Sequence, residues 1–560
     1  MSAKNKKRAA AAAAENKRAW SFAALSFLSR RSRTIALVAV LIASLRIAAT
    51  YPVFNQTFDE PLHIGCGLRW LGGVVCADET PPLARVAEAV GPYLLGARPQ
   101  RTPYRDMDAE YSLGADVLYQ SGDYDTTLAA ARLGNLPLLW IACLAVYWWG
   151  KHYYGPAVAA VAVLLFSLLP PVLAHAGVAT VDMALAALLG MAAVSALAWV
   201  EQPDWAHGIR FGAITALAIL AKYSTLIFLP AFAALALVAY VIAERPGAGV
   251  LARGAWKRIP SFAAALIIIA ALVWAGFRFS YGTTHLGAFR LPAPQLFDGL
   301  KMVADHNRDG HYAYLLGARS TMGWWYFYPV VLAVKTPLAF LALTAYGVMI
   351  VLREPRSRAW LPLAFSGGIL LVGLFSHINI GVRHILPIYI GLSLLAAIAV
   401  VRILETAEGI AWPRNTLAIL LLWMTVSSAL SHPDYLAYFN ELAGSKPENI
   451  LLDSDLDWGQ DMKRLAKRLR EAGAPFVTFT PLADPGLPQA LGFPPIRASD
   501  VPIPSPGWNA VSLTQWKSRR LRLLNTHPEV IPWPDLYPPG ERIGRGIMLW
   551  YFPPGSIPGR

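Results

Sequence analysis

Two adjacent carboxylates, Asp59 and Glu60, stand a few residues beyond the first long apolar run, in Phe54-Asn55-Gln56-Thr57-Phe58-Asp59-Glu60-Pro61-Leu62-His63. Carboxylates are costly near hydrocarbon and usually have a task there. Other isolated polar residues stand at the ends of apolar runs: Asp182 in Thr180-Val181-Asp182, Lys222 beside Tyr223, Lys335 in Val334-Lys335-Thr336-Pro337, and the pair Arg383-His384. A carboxylate held against an acceptor hydroxyl can take its proton as a general base. Lys and Arg can hold a phosphate anion and stabilise its charge as it departs. Sugar transfer from a lipid phosphate needs both groups at a membrane face, with an apolar groove for the lipid. The chain has no Gly-x-x-x-x-Gly-Lys nucleotide loop, which fits a donor already activated as a lipid phosphate.

Each residue also has a purely structural role open to it. Lys222 can snorkel to the headgroups, and Asp182 can cap its helix. Lys335 sits deeper, where a charge needs a partner. Arg46, inside the first apolar run, can snorkel outward or pair with a carboxylate. His63 can be a satisfied interfacial histidine, while Glu60-x-x-His63 has the spacing of a metal pair on a helix. Two ligands alone do not define a site, so a divalent metal is an option and no cofactor is required. The acidic run Asp453–Asp461 looks like a calcium loop, but Gly459 is its seventh residue and Arg464 stands where the twelfth-position Glu belongs. Asp457 and Gln460 have capping-box spacing, which leaves Asp455 and Asp461 for acceptor or metal contact. Trp324, Trp325 and Tyr326 suit an interfacial belt or a sugar-stacking surface.

The elements that position these residues are membrane helices. Of 560 residues, 56% are apolar and only 15% charged, far from a soluble domain. Runs long enough to span a bilayer fall near Ile35–Thr50, Leu128–Trp149, Pro156–Leu173, Val181–Val200, Phe211–Tyr223, Leu226–Ile242, Phe262–Phe279, Val330–Leu352, Leu361–Phe375, Ile385–Ile403 and Leu417–Ala429. The expectation is a mainly α, polytopic membrane protein with about eleven transmembrane helices. A net charge of +14 does not indicate nucleic acid, because nine Lys/Arg against one Glu crowd residues 1–34. That basic tail sets the N-terminus in the cytoplasm. It contains the low-complexity run Ala9–Ala14, and the late, long apolar run after it is not a cleavable signal. Basic loops at Glu244–Pro260 and Arg353–Arg358 fall on the same side.

Three long stretches then lie outside: 51–127, 280–327 and 432–560. The first carries helical-looking Leu62–Leu71 and Leu83–Leu95. The last reads as a small α/β domain, with a helix over Trp458–Ala472 and strands at 476–479, 510–513 and 547–552. Cys66 and Cys76, in the first outer stretch, are either a disulfide or two free thiols. In this topology Asp59, Asp182, Lys222, Lys335, Arg383 and His384 share one membrane face.

At these residues the chain resembles the family 39 membrane glycosyltransferases of the C type (GT-C). These include the protein O-mannosyltransferases and the aminoarabinose transferases of lipid A. The likeness runs over roughly residues 35–465. It rests on Phe58-Asp59-Glu60, Thr180-Val181-Asp182, Lys222-Tyr223, Trp325–Pro329 with Val334–Pro337, Asn379–His384 and Asp453–Asp461. The resemblance implies a helical membrane body with catalysis at the outer face and a polyprenyl-phosphate sugar donor. It makes Asp59 the expected base, with Glu60 beside it and Asp182 as a second cavity carboxylate. Charge and side, rather than motif, put Lys222, Lys335, Arg383 and His384 on the donor phosphate. The tail does not look like the β-trefoil of the eukaryotic O-mannosyltransferases, so the acceptor stays open between a glycolipid, a polysaccharide and a protein. The expected location is a bacterial inner membrane, among membrane lipids. The competing readings are a transporter or lipid flippase, whose charges lie near the midplane of repeated halves, and a non-catalytic scaffold.

Overall fold

The computed structural model describes residues 21–98, 109–120, 122–285, 287–354, 358–406, 411–481, 486–498, 503–527, 529–538 and 540–556. The part of the basic tail before residue 21, with Ala9–Ala14, lies outside the described residues. Residues 21–30 are helical (α1), followed by α2 (Ser32–Ala48). The stretch after α2 folds into α3 (Glu60–Leu71), α4 (Pro82–Leu94), α5 (Ala109–Gln120) and α6 (Tyr124–Leu133). The body continues with α7 (Leu136–Tyr154), α8 (Pro156–Leu168), α9 (Pro170–Ala176), α10 (Asp182–Glu201), α11 (Trp205–Ala221), α12 (Thr225–Glu244) and α13 (Ala248–Gly276). A second long stretch, after α13, holds the hairpin β1–β2 (Tyr281–Thr284, Gly287–Pro292), α14 (Pro294–Asp309) and the hairpin β3–β4 (Ala313–Leu315, Ala318–Ser320). The remaining body helices are α15 (Phe327–Lys335), α16 (Leu338–Arg353), α17 (Trp360–Leu374), α18 (Ile388–Thr406) and α19 (Ala411–Leu430).

Every expected span falls on a helix or a bent helix pair. Five helices are long and apolar enough to cross a membrane, or seven if α8–α9 and α15–α16 each count as one bent span. The other four segments, α2, α11, α17 and α19, are 15 to 20 residues long. Sequence left open whether the apolar runs around Tyr223 form one broken helix. They form two helices, because Lys222 turns extended after α11. Small residues let helices meet closely: a Cβ on Gly212 of α11 would sit 2.8 Å from the Ala265 Cα of α13. Arg46 neither snorkels nor finds a carboxylate. It donates to the Ser428 hydroxyl and carbonyl and to Tyr435, at 3.0, 2.5 and 3.1 Å.

The two helices read from sequence at 62–71 and 83–95 are present as α3 and α4, and Cys66 is disulfide-bonded to Cys76. Beyond α19 the chain crosses the end of the body, where Tyr435, Leu436, Leu451 and Trp458 join the body's apolar core. The tail has its own core, built on α20 (Met462–Glu471), which buries Met462, Leu465 and Leu469 as their spacing predicts. Its sheet comprises β5 (Val477–Thr478), β6 (Ile496–Arg497), β7 (Gly507–Ser512), β8 (Glu541–Ile543) and β9 (Ile547–Phe552), in the order β6-β5-β7-β9-β8. The first three strands are parallel, and β9 pairs antiparallel with β7 and β8. Helices α21 (Leu487–Ala490) and α22 (Leu513–Thr526) complete this α/β unit.

Candidate active site

The loop before α3 is pinned from two sides. Glu60, fully buried, forms a two-pronged pair with Arg132 of α6 at 2.8 and 2.9 Å. Its oxygens also accept from the Thr57 and Ala179 backbone amides at 2.7 and 2.8 Å. On the other side, the Phe58 amide donates to the Trp458 carbonyl at 3.0 Å, and Asn55 bridges the Gly459 carbonyl and the Lys463 amide. Asp59, held between these clamps at the start of α3, turns its carboxylate the other way. It pairs with Arg383 at 2.6 Å and lies 3.4 Å from the Tyr111 hydroxyl. Arg383 itself lies over the Trp458 ring, 4.2 Å from its centroid.

A second pair stands beside the first. Asp182 opens α10 but makes no cap hydrogen bond; it binds Lys222 at 2.6 Å instead. Lys222 reaches it because α11 ends one residue earlier. Arg383, His175 and His384 lie within electrostatic reach of Asp182. At this confluence Asp182 Oδ2, His175 Nδ1, Arg383 Nε and His384 Nε2 are all buried without a hydrogen-bond partner. Polar atoms left this way call for a ligand or ordered water.

Other residues expected at the site serve the framework. Lys335, 1% exposed, donates to the Leu436 and Asp455 carbonyls at 2.8 and 2.5 Å, tying the body to the crossing segment. Asp455 accepts from the Val382 amide at 3.1 Å, which orients the Arg383 turn. Asp461 accepts from the Arg545 and Gly546 amides, each at 2.9 Å, and holds the β8–β9 turn. The expected capping box at Asp457 is not formed. Helix α20 starts later, at Met462, and Asp457 accepts instead from Ser512 and Thr514 at the β7–α22 junction. Nor do Glu60 and His63 converge on a metal. Glu60 faces Arg132, while His63 Nδ1 accepts from Arg85 at 3.3 Å. Among the described residues no three His, Cys, Asp or Glu side chains group to hold an ion.

Burial sets the charge states of the outer groups. It pushes His63 and His384 well below the ordinary histidine value, with nearby cations adding to the effect, which disfavours the charged form of both. Asp453 is raised to about 6 by burial, against the pull of Arg383. Its backbone is left-handed, φ 56°, a conformation that costs energy in a non-glycine residue. Glu88 on α4 is fully buried and pushed well above the carboxylate range. It lies beside Asn135, whose amide is taken by the Val178 and Thr180 carbonyls, so no strong donor serves it.

Sequence reading missed Arg132, His175, Tyr111, Glu88 and Trp458 as site components. It also missed a chain that links stretches 51–127 and 280–327, Glu79 to His306 at 3.0 Å and His306 to His311 at 2.9 Å, and ends within electrostatic reach of Asp59 and Arg383. An arginine at the mouth of an apolar run was the one available signal for Arg132. The others look like ordinary loop or span-end residues until their partners are known.

A helical membrane body capped by helices and hairpins, with carboxylates facing cations at one end, is a fold that recurs among solved structures. The crystal structure of ArnT from Cupriavidus metallidurans bound to undecaprenyl phosphate matches with a TM-score of 0.50 at 14% identity, over 92% of this chain and 97% of that one. Its apo form matches at 0.49 and 13%, over the same shares. The Archaeoglobus fulgidus oligosaccharyltransferase AglB, in complex with an inhibitory peptide and a dolichol-phosphate, matches at 0.46 and 10%, over 86% and 70%. The first of these shows the fold. No protein-family model and no curated protein matches the chain.

Proposed function

We propose that this integral membrane protein is a glycosyltransferase that moves a sugar from a polyprenyl-phosphate carrier to an acceptor hydroxyl at the extracytoplasmic face. The observation that carries this reading is the cluster of buried, unpartnered polar atoms on Asp182, His175, Arg383 and His384, beside the Asp59–Arg383 pair. The bound undecaprenyl phosphate of ArnT, which shares the fold, supports the carrier class.

In this mechanism Asp59 takes the proton of the acceptor hydroxyl as its oxygen bonds to the sugar's anomeric carbon. The bond from that carbon to the carrier phosphate breaks, and its electron pair leaves with the phosphate. Arg383 and Lys222 hold that anion, and neutral His384 can donate a hydrogen bond to it. Asp182 orients Lys222. Glu60 and Lys335 are positioning residues: one fixes the Asp59 loop, the other ties down the segment that presents Trp458. The Cys66–Cys76 disulfide supports an oxidising, extracytoplasmic side for this face, as in a bacterial inner membrane.

Purified protein incubated with a panel of polyprenyl-phosphate sugars and candidate acceptors, read by mass spectrometry, tests the reading. Free carrier phosphate and a glycosylated product are expected, and Asp59→Asn is expected to abolish both. Turnover retained by Asp59→Asn removes Asp59 as base. Solute uptake by reconstituted vesicles with no lipid consumed replaces the transferase by a transporter.

A further inference from the structure

A large apolar trough runs along the opposite half of the body. Helices α2 and α7 both pack on α8 but barely touch each other, so a groove of about 670 Å³ opens between them with Val163 of α8 in its lining. That volume is within the range of ligand sites. Its walls are the outward faces of α2 and α7, including Leu37, Leu41 and Leu144. The two ends differ. One is closed by a hydrogen bond from the Trp140 indole to the Ser44 hydroxyl at 3.0 Å. The other bears Arg33 and Lys151, with the Ser32 and Tyr147 hydroxyls bonded to each other at 3.1 Å. Both cations are exposed, and among the described residues neither is paired with a carboxylate.

Geometry limits what fits. Arg33 to Ser44 on α2, and Lys151 to Trp140 on the antiparallel α7, are each eleven residues apart. That is about 16 Å at the helical rise, or roughly half of a 30 Å hydrocarbon core. The trough therefore has the length of one leaflet, with its charged mouth at that leaflet's headgroups. The mouth lies at the start of α2, whereas Asp59 follows the end of α2, so the trough serves the membrane face away from the site. A polyprenyl chain would overrun the Ser44–Trp140 closure. The N-terminal segment, rich in Lys and Arg, is disfavoured beside two cations.

We propose that the α2–α7 trough binds an anionic glycerophospholipid of the leaflet opposite the Asp59 site. Arg33 and Lys151 hold its phosphate, and an acyl chain lies along Leu37, Leu41 and Leu144. The site is independent of the transferase reading and needs no turnover to be tested.

Full-length protein, delipidated in detergent, is titrated with dioleoyl-phosphatidylglycerol, dioleoyl-phosphatidylcholine or undecaprenyl phosphate and read by native mass spectrometry. Phosphatidylglycerol is expected to bind about thirtyfold tighter than phosphatidylcholine, the attraction of two cations for one net negative headgroup. The double variant Arg33→Gln/Lys151→Gln should lose that preference, and Arg33→Lys should keep it. Leu144→Trp, which fills the trough with the charges intact, should lower retention of phosphatidylglycerol. Equal binding of the two phospholipids by the wild type overturns the proposal, as does undiminished preference in the double variant at unchanged melting temperature. Displacement of phosphatidylglycerol by undecaprenyl phosphate at equal concentration overturns the lipid class.

Discussion

Asp59 and Glu60 are neighbours in sequence with opposite surroundings. Glu60 is sealed against Arg132, which is 1% exposed. Glu60→Gln leaves that guanidinium buried and unpaired, an expected loss of about 3–5 kcal/mol, measurable by thermal or denaturant unfolding in detergent. Asp59 is 21% exposed and its partner Arg383 11%. Asp59→Asn should therefore cost far less stability while removing transfer. Glu88 offers a pH test. Its folded pKa is raised, so its contribution is fully present below the unfolded carboxyl value and is lost as pH rises through the folded one. Wild-type melting temperature should fall as pH rises above the ordinary carboxyl value more than that of Glu88→Gln, which carries a permanently neutral amide. Parallel curves would show that Glu88 is ionised in the folded protein.

At the scale of elements, the site is made where helices stop. Helix α11 ends before Lys222, α10 begins at Asp182, and the short turn Val382–Ile385 presents Arg383 and His384. Each break frees a side chain to leave its helix face. The bend between α15 and α16 does the same for Lys335, but delivers it to two carbonyls. Lys335→Met removes the donor to both, at about 1–3 kcal/mol for each buried acceptor left unmade. Lower stability and faster proteolysis after residue 430 are expected, with donor affinity of the folded fraction lowered less than by loss of Lys222. Lys222→Ala should instead weaken donor binding roughly ten- to hundredfold, the worth of a charged hydrogen bond, by titration with a polyprenyl phosphate. In the stretch after α2, the disulfide ties Cys66, within α3, to Cys76 beyond its end, ten residues on. Its loss in Cys66→Ser/Cys76→Ser should cost about 2–3 kcal/mol, and dithiothreitol should lower the wild-type melting temperature to match.

The whole molecule is a membrane body whose outer end is finished by the tail. Residues 457–463 clamp the Asp59 loop, and Trp458 supports Arg383, so the α/β unit is anchored through a segment that is itself part of the site. Orientation can be read directly. With the site outside, Ser556→Cys should react with a membrane-impermeant maleimide on intact cells. Trp205→Cys, at the start of α11, should react only after permeabilisation. The reverse pattern would place the site in the cytoplasm.

Hydropathy alone located the membrane segments, because a helix among lipids must be apolar for about its whole length. It also marked α3, α4 and the amphipathic α20, and it read Asp59, Asp182, Lys222, Lys335, Arg383 and His384 as lying toward one end. Partnership was beyond its reach. Asp59 and Arg383 are 324 residues apart, and Glu60 and Arg132 are 72 apart. In sequence Lys335 and Lys222 are alike, each a lone cation at the end of an apolar run. Only the packing of α15 against the crossing segment commits one to backbone carbonyls, while the other meets a carboxylate beside unpartnered polar atoms. Sequence determined which residues are too costly to lie in hydrocarbon without a partner. Tertiary structure decided which partners they have, because a buried charge is defined by the groups that surround it.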